Sequence, residues 1–187
     1  MSKHLIGYVP SDTDKTRALG DVFYEIQQLW FSSRQLSTDQ LMRNAYIESF
    51  LVHVRALLNF FEGSARSTYM EGSVRREHDD VLARDYGFAP RPIDLAKIYR
   101  DRLNKDLAHV SYSRCYRLVE GREWPLRYVV IPIIERAMVF IDFMNDERLA
   151  ATPGVTPHQW RELRQNLETM FVEHKGRRGD THHLNPP

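Results

Sequence analysis

Apolar side chains recur at helical spacing along most of this sequence, and that recurrence constrains the fold more than any other feature. In residues 14–33 they fall three or four positions apart, which places them on one face of an amphipathic helix. Similar patterns predict a helix from just after Ser37 to Glu62, helices over residues 93–112 and 157–174, and a helix that ends near Met144. A short charged helix is predicted over residues 74–85. We therefore expect an all-α fold, an up-and-down bundle of five to six helices.

Capping residues and prolines set the predicted helix boundaries. Ser37, with Gln40 three residues later, has the capping-box pattern that precedes a helix. Thr156 and Pro157 fit the N-cap and the first position of the last helix. Pro132 leaves two alternatives: it either kinks a helix that begins near Leu126 or occupies the first turn of one that begins beside it.

Length and composition limit the class of protein. A chain of 187 residues that is 42% hydrophobic can bury one sizeable core. We therefore expect one domain over residues 1–174 and a disordered tail over residues 175–187, where helical periodicity is lost. The single cysteine cannot form an internal disulfide, and no apolar signal segment follows Met1, which favours the cytoplasm.

Charge and motif content exclude several functions. No apolar run approaches the roughly 20 residues that a membrane span needs, so we expect no membrane association. The net charge of +1 argues against nucleic-acid binding through a bulk positive field, so any phosphate recognition must be local. The sequence has no Gly-rich phosphate loop, no HExxH and no pair of CxxC motifs, and we expect neither a metal nor a cofactor.

Residues 101–114 hold the one stretch where helical spacing aligns a histidine, a carboxylate and an arginine. Arg102 and His109 are two turns apart, and Asp106 lies between them, so the three side chains can touch. Two interpretations remain open. The line forms a reactive site, or Arg102 and Asp106 form an ordinary ion pair and His109 makes a local hydrogen bond.

The stretch from Arg102 to His109 resembles the R-x(4-6)-H signature of HEPN domains. These are compact bundles of four to five helices found in many bacterial toxin, abortive-infection and CRISPR-associated ribonucleases. The helical pattern over residues 14–144 is similar to that architecture. The resemblance implies a homodimer in which two copies of the motif face one cleft, with Arg102 on the scissile phosphate and His109 in acid–base catalysis.

The predicted function is a HEPN-like, metal-independent endoribonuclease or RNA-binding protein of a defence or toxin–antitoxin type. A histidine of ordinary pKa suits removal of a proton from the ribose 2′-hydroxyl, and Asp106 can orient the His109 imidazole. The candidate substrate-binding residues are Asn104, Lys105, Tyr112, Arg114, His53 and Arg55.

Two matters stay open at this point. His53 falls inside the apolar arc of its helix, so it is either a hydrogen-bonded core residue or a residue that faces His109 across the site. The alternative function is a non-catalytic helical module that binds a protein partner or a nucleotide. The partners to consider are RNA, a second copy of the chain, and a cognate antitoxin or other protein.

Overall fold

The computed structural model describes residues 5–35, 38–105, 124 and 126–176. Within these ranges the chain forms a mostly helical bundle, as predicted. Its six α-helices are α1 (Asp12–Arg34), α2 (Gln40–Glu62), α3 (Lys97–Lys105), α4 (Leu126–Phe143), α5 (Asp146–Ala150) and α6 (Pro157–Gly176). A short 3₁₀ helix covers Ala83–Tyr86. Among the described helices, none is long and apolar enough to cross a membrane.

Helices α1 and α2 pack against each other over most of their length, and each begins at a side-chain cap. The Ser11 hydroxyl accepts a hydrogen bond from the Asp14 amide at 3.1 Å, and the Asp14 carboxylate accepts one from the Ser11 amide at 3.0 Å. The predicted cap at Ser37 is wrong, because α2 begins at Gln40 with Asp39 as its N-cap. Ser37 lies outside the described residues.

Helices α4 and α6 form the other half of the bundle. Pro132 lies inside α4, so the helix begins at Leu126, before the proline, as in the first of the two alternatives. Thr156 caps α6 as predicted, since its hydroxyl accepts a hydrogen bond from the Gln159 amide at 3.3 Å. Helix α6 continues to Gly176, so the predicted tail does not begin at residue 175, and residues 177–187 lie outside the described ranges.

The all-α prediction is wrong in one place, where a small sheet replaces the helix predicted over residues 74–85. Strands β2 (Thr68–Glu71) and β3 (Val74–Glu77) form an antiparallel hairpin, and β1 (Leu5–Ile6) pairs in parallel with β3. Gly72 adopts a φ of 60° in the two-residue loop, a left-handed conformation that glycine tolerates and a tight hairpin uses. The turn chemistry therefore outweighs the mixed charges that suggested a solvated helix.

The segment between the 3₁₀ helix and α3 determines how α3 lies on the bundle. The helix predicted to begin at residue 93 begins at Lys97 instead, because the chain first makes a tight turn in which the Leu95 amide donates to the Ile93 carbonyl at 2.7 Å. Ile93 and Leu95 are buried in the segment and Leu103 is buried on α3. These side chains join the same apolar cluster as the buried faces of α1, α2, α4, α5 and α6. The segment and α3 are thus anchored to the core beside the end of α2.

Candidate functional site

Arg102, the first residue of the predicted reactive line, is packed into the bundle. Only 7% of its surface is exposed, and its guanidinium carbon lies 4.2 Å from the centroid of the Trp124 ring. Of the other candidates, Asp106, His109, Tyr112 and Arg114 lie outside the described residues, and of Lys105 only the helical backbone is described. The described part of the line is therefore a buried, aromatic-stacked arginine on α3.

A groove runs along α2 on the side that faces α3. Its volume is about 800 Å³, which is within the range of ordinary ligand clefts. Arg55 and Asn59 line it from α2, and Arg100 and Asn104 line it from α3. Two of the predicted substrate-binding residues, Arg55 and Asn104, are therefore brought together by the fold although they are far apart in sequence. We call this feature the α2–α3 groove.

An ion pair between Glu62 and Arg100 closes one end of the α2–α3 groove. The two guanidinium nitrogens of Arg100 lie 2.6 and 2.7 Å from the two Glu62 carboxylate oxygens. Arg100 also donates to the Leu95 carbonyl at 3.1 Å, and Glu62 accepts from the Ile93 amide. Hydrogen bonding to Glu62 raises the pKa of Arg100. This pair joins the end of α2 to α3 and to the segment before it.

Arg55 differs from Arg100 in having no counter-ion among the residues that the structure describes. Its side chain is exposed on α2, and within the described part of the chain it makes neither a hydrogen bond nor an ion pair. Asn59 and Asn104 are exposed beside it, and their side-chain amides can both donate and accept hydrogen bonds. From its described lining, the groove thus offers the unpaired guanidinium of Arg55 and two amides to a ligand.

His53 lies on the opposite side of α2 from Arg55, because residues two apart on a helix point about 200° apart. His53 is buried, with 8% of the residue exposed, and its Nδ1 is 2.8 Å from an oxygen of Glu25 on α1. The Tyr24 ring packs edge-on against it with the ring centroids 5.9 Å apart. In the described structure His53 is a hydrogen-bonded residue between α1 and α2, separate from the groove.

The residues that complete these clusters were not identified from the sequence. Glu25 is 28 positions from His53, and Glu62 is 38 positions from Arg100, so no local pattern links either pair. Asn59 could have been predicted from the sequence to lie beside Arg55, since it is four residues later on the same helix. Among the described residues, no three metal-ligating side chains come together.

Comparison with known proteins adds no assignment to this geometry. No family model, curated protein or solved structure matches the chain. The functional argument therefore depends on the residues themselves. The α2–α3 groove can bind a phosphate or carboxylate group through Arg55 and hydrogen-bond polar edges through its amides.

Proposed function

We propose that this chain is a HEPN-like, metal-independent endoribonuclease or RNA-binding protein of a defence or toxin–antitoxin type, and that RNA binds along the α2–α3 groove. The observation that supports this most is the groove itself. It lies beside the helix that carries Arg102, and its lining includes Arg55 and Asn104. The mostly helical fold and the resemblance of residues 102–109 to the HEPN signature agree with the proposal.

The chemistry of the groove suits a single RNA strand better than a duplex. One uncompensated arginine supplies a local phosphate contact, as a chain with a net charge of only +1 requires. Exposed amides on Asn59 and Asn104 suit the edges of unpaired bases. A volume of about 800 Å³ limits the contact to a short stretch of the strand.

The proposed reaction is cleavage by attack of the ribose 2′-oxygen. The His109 imidazole removes the 2′-hydroxyl proton, and the 2′-oxygen attacks the adjacent phosphorus. The 5′-oxygen of the next nucleotide leaves with a proton returned by the imidazolium, so the products are a 2′,3′-cyclic phosphate and a 5′-hydroxyl. Arg102 stabilises the charge on the phosphorane, and Asp106 orients the imidazole. Lys105, Tyr112 and Arg114 contact neighbouring nucleotides.

The assembly that goes with this function is a homodimer in which two Arg102/His109 pairs face one cleft. A cognate antitoxin or other protein partner would cover that cleft. Light scattering on the purified chain measures the mass directly. A dimeric mass supports this arrangement, and a strictly monomeric mass at high protein concentration contradicts it.

The alternative, a non-catalytic helical module that binds a protein partner or a nucleotide, has a specific observation in its favour. Arg102 is 7% exposed and stacks on Trp124, and such packing is also what a purely structural arginine shows. In that case the Arg102 side chain holds α3 to Trp124, and the α2–α3 groove alone binds the ligand.

The deciding experiment measures cleavage of a structured RNA in excess EDTA by wild type, His109→Ala and Arg102→Lys. We expect wild type to release fragments with 2′,3′-cyclic phosphate ends, and both variants to lose at least about a hundredfold in rate. Arg102→Lys keeps the positive charge but loses the bidentate geometry. Circular dichroism establishes that each variant is folded.

Arg161→Gln is the matched control, because Arg161 is exposed on α6 and its side chain forms neither a hydrogen bond nor an ion pair within the described structure. It should cleave at the wild-type rate. Cleavage that persists unchanged in His109→Ala would contradict the mechanism. RNA binding without cleavage in wild type supports the RNA-binding form of the proposal, and neither binding nor cleavage leaves the alternative module.

A further inference from the structure

The two asparagines of the α2–α3 groove have side chains that the fold does not use. Asn59 lines the groove from α2 and Asn104 lines it from α3, and both residues are exposed. Neither side-chain amide forms a hydrogen bond within the part of the chain that the structure describes. Each amide therefore keeps a donor beside an acceptor for a ligand, and the two amides belong to different walls of one groove.

Aliphatic side chains make up much of the remaining described lining. Leu58 and Leu103 belong to the buried core and also line the groove, and the more exposed Val52 and Ala56 line it as well. An aliphatic surface of this kind favours the flat face of an aromatic ring, because apolar area on both partners is removed from water. The groove thus combines apolar contact for a ring face with amides for the ring edges.

The charges in the groove indicate where a ligand carries its own charge. Glu62 and Arg100 are paired through both carboxylate oxygens, so together they present no net charge. Arg55 lies four residues before Asn59, about 6 Å along the axis of α2, and forms no ion pair with the described residues. A guanidinium group binds phosphate well. A ligand with a phosphate one helical turn from a ring matches this layout, and a nucleotide is such a ligand.

The hydrogen-bonding edges of the bases decide which nucleotide two amides can bind. A side-chain amide binds a ring edge that presents a donor next to an acceptor. Adenine has this pattern on both of the edges that lie away from the ribose, because its amino group carries two hydrogens, one beside N1 and one beside N7. Guanine presents two acceptors, O6 and N7, at the corresponding second edge. Cytosine and uracil each have a single hydrogen-bonding edge away from the ribose.

We propose that the α2–α3 groove binds an adenine nucleotide. Asn59 and Asn104 bind the two edges of adenine that lie away from the ribose, and Arg55 binds the phosphate. The nucleotide is either an adenosine within an RNA strand or free AMP. The inference rests on the proposed function only where RNA is the source, and it does not require RNA cleavage.

The first test measures the affinities of the full chain for AMP, GMP, CMP and UMP by isothermal titration calorimetry. AMP should bind at least about tenfold more tightly than each of the others, because each of the others leaves one amide without a matching edge. Equal affinities for the four nucleotides, or no binding of AMP, would overturn the adenine site.

Asparagine variants test whether the groove is the place where AMP binds. Asn59→Leu and Asn104→Leu should each weaken AMP binding by about tenfold, because each removes the hydrogen bonds to one edge of adenine. Asn44→Leu is the matched control, since Asn44 is exposed on α2 and is not part of the described lining of the groove. It should bind AMP as wild type does. Circular dichroism establishes that the variants are folded, and an equal loss in Asn44→Leu would overturn the site.

AMP that lacks N7 tests whether both edges of the base are bound. The nucleotide 7-deaza-AMP keeps the amino group and N1 but has no acceptor at its second edge. It should bind wild type about tenfold more weakly than AMP. With 7-deaza-AMP, one of the two groove variants should show no further loss, and that variant identifies the asparagine that faces N7. Equal binding of AMP and 7-deaza-AMP to wild type would contradict binding at two edges.

A last measurement identifies the source of the adenine. Fluorescence anisotropy compares a labelled oligouridine with the same strand carrying one central adenosine. Tighter binding of the adenosine strand in wild type, lost in Asn59→Leu, shows that the groove holds an adenosine of RNA. Selective AMP binding without RNA binding shows that it holds the free nucleotide, and it contradicts the RNA proposal alone. RNA binding without base preference or AMP binding rejects the adenine site and leaves the proposed function standing.

Discussion

Polar residues on the two sides of α2 differ in whether they find a partner within the fold. On the side that faces α1, His53 is buried and hydrogen-bonded to Glu25. On the side that faces α3, Glu62 is paired with Arg100, but Arg55 is exposed and has no counter-ion among the described residues. Because α1 packs along α2, a polar group on that side must find a partner within the fold. On the other side a polar group can keep its hydrogen-bonding capacity for a ligand.

The α3 side also shows that sharing a helical face does not decide a residue's role. Arg55 and Glu62 are seven residues apart, so they point in nearly the same direction. Glu62 lies where the segment before α3 meets α2, and it is used to hold the two together. Arg55 lies two turns earlier, where the α2–α3 groove opens. The structural role belongs to Glu62, and we infer the binding role for Arg55.

The largest effect is expected at Glu62. Glu62→Ala leaves the Arg100 guanidinium without its carboxylate and the Ile93 amide without its acceptor. Since hydrogen bonds to a charged group are worth about 1.5 to 3 kcal/mol, we expect the free energy of unfolding to fall by about 2 to 3 kcal/mol. Urea denaturation followed by circular dichroism measures it.

Glu48→Ala is the matched control, since Glu48 is exposed on the same helix and its side chain forms neither a hydrogen bond nor an ion pair with the described residues. It should change stability by less than about 0.5 kcal/mol. A double-mutant cycle with Arg100→Met should give a coupling of about 1 kcal/mol or more. Equal losses in Glu62→Ala and Glu48→Ala would mean that the ion pair does not hold α3 to α2.

The sequence predicted the parts of the fold whose signals are local. The apolar spacing after Pro132 was enough to place the end of α4, and the Thr156–Pro157 cap was enough to place the start of α6. The hairpin was not predicted because the charged residues after Gly72 were interpreted as a solvated helix, and Gly72 was therefore not recognised as a hairpin turn. Long-range partners could not be predicted: nothing in the chain near Glu62 indicates Arg100.

For the candidate site, the sequence singled out residues but not their surroundings. Helical spacing aligned Arg102 with Asp106 and His109, but it did not indicate that Trp124, 22 residues later, packs on the Arg102 guanidinium. Arg55 and Asn104 were named separately, and only the packing of α3 beside α2 brings them to one groove. Burial depends on which helix covers which face, and one helix's periodicity does not contain that information.

An intermediate effect is expected at His53. His53→Ala removes a buried ring and its hydrogen bond to Glu25, and it should lower the free energy of unfolding by about 2 kcal/mol. His53→Phe restores the volume in an aromatic setting that includes Tyr24, and the partly exposed Glu25 can turn to water. We therefore expect it to cost about half as much, measured by the same denaturation.

The RNA affinity of His53→Phe tests whether His53 is separate from the α2–α3 groove. If His53 serves the packing of α1 on α2, His53→Phe should bind single-stranded RNA as tightly as wild type. A folded His53→Phe protein with strongly weakened RNA binding would contradict the separation of the two sides of α2. His53 would then be a substrate-binding residue, as the sequence analysis proposed.

The smallest effect on stability, and the most selective one on binding, is expected at Arg55. Arg55→Gln should change the free energy of unfolding by less than about 0.5 kcal/mol, because the exposed side chain loses no hydrogen bond or ion pair within the described structure. Its RNA affinity should fall, and the slope of log K against log salt should decrease by about one, since one phosphate contact is lost. Arg43→Gln, an exposed arginine in the first turn of α2, should leave both quantities unchanged. An equal loss of RNA affinity in Arg43→Gln would mean that binding depends only on the total charge of α2. The α2–α3 groove would then not be the RNA-binding site.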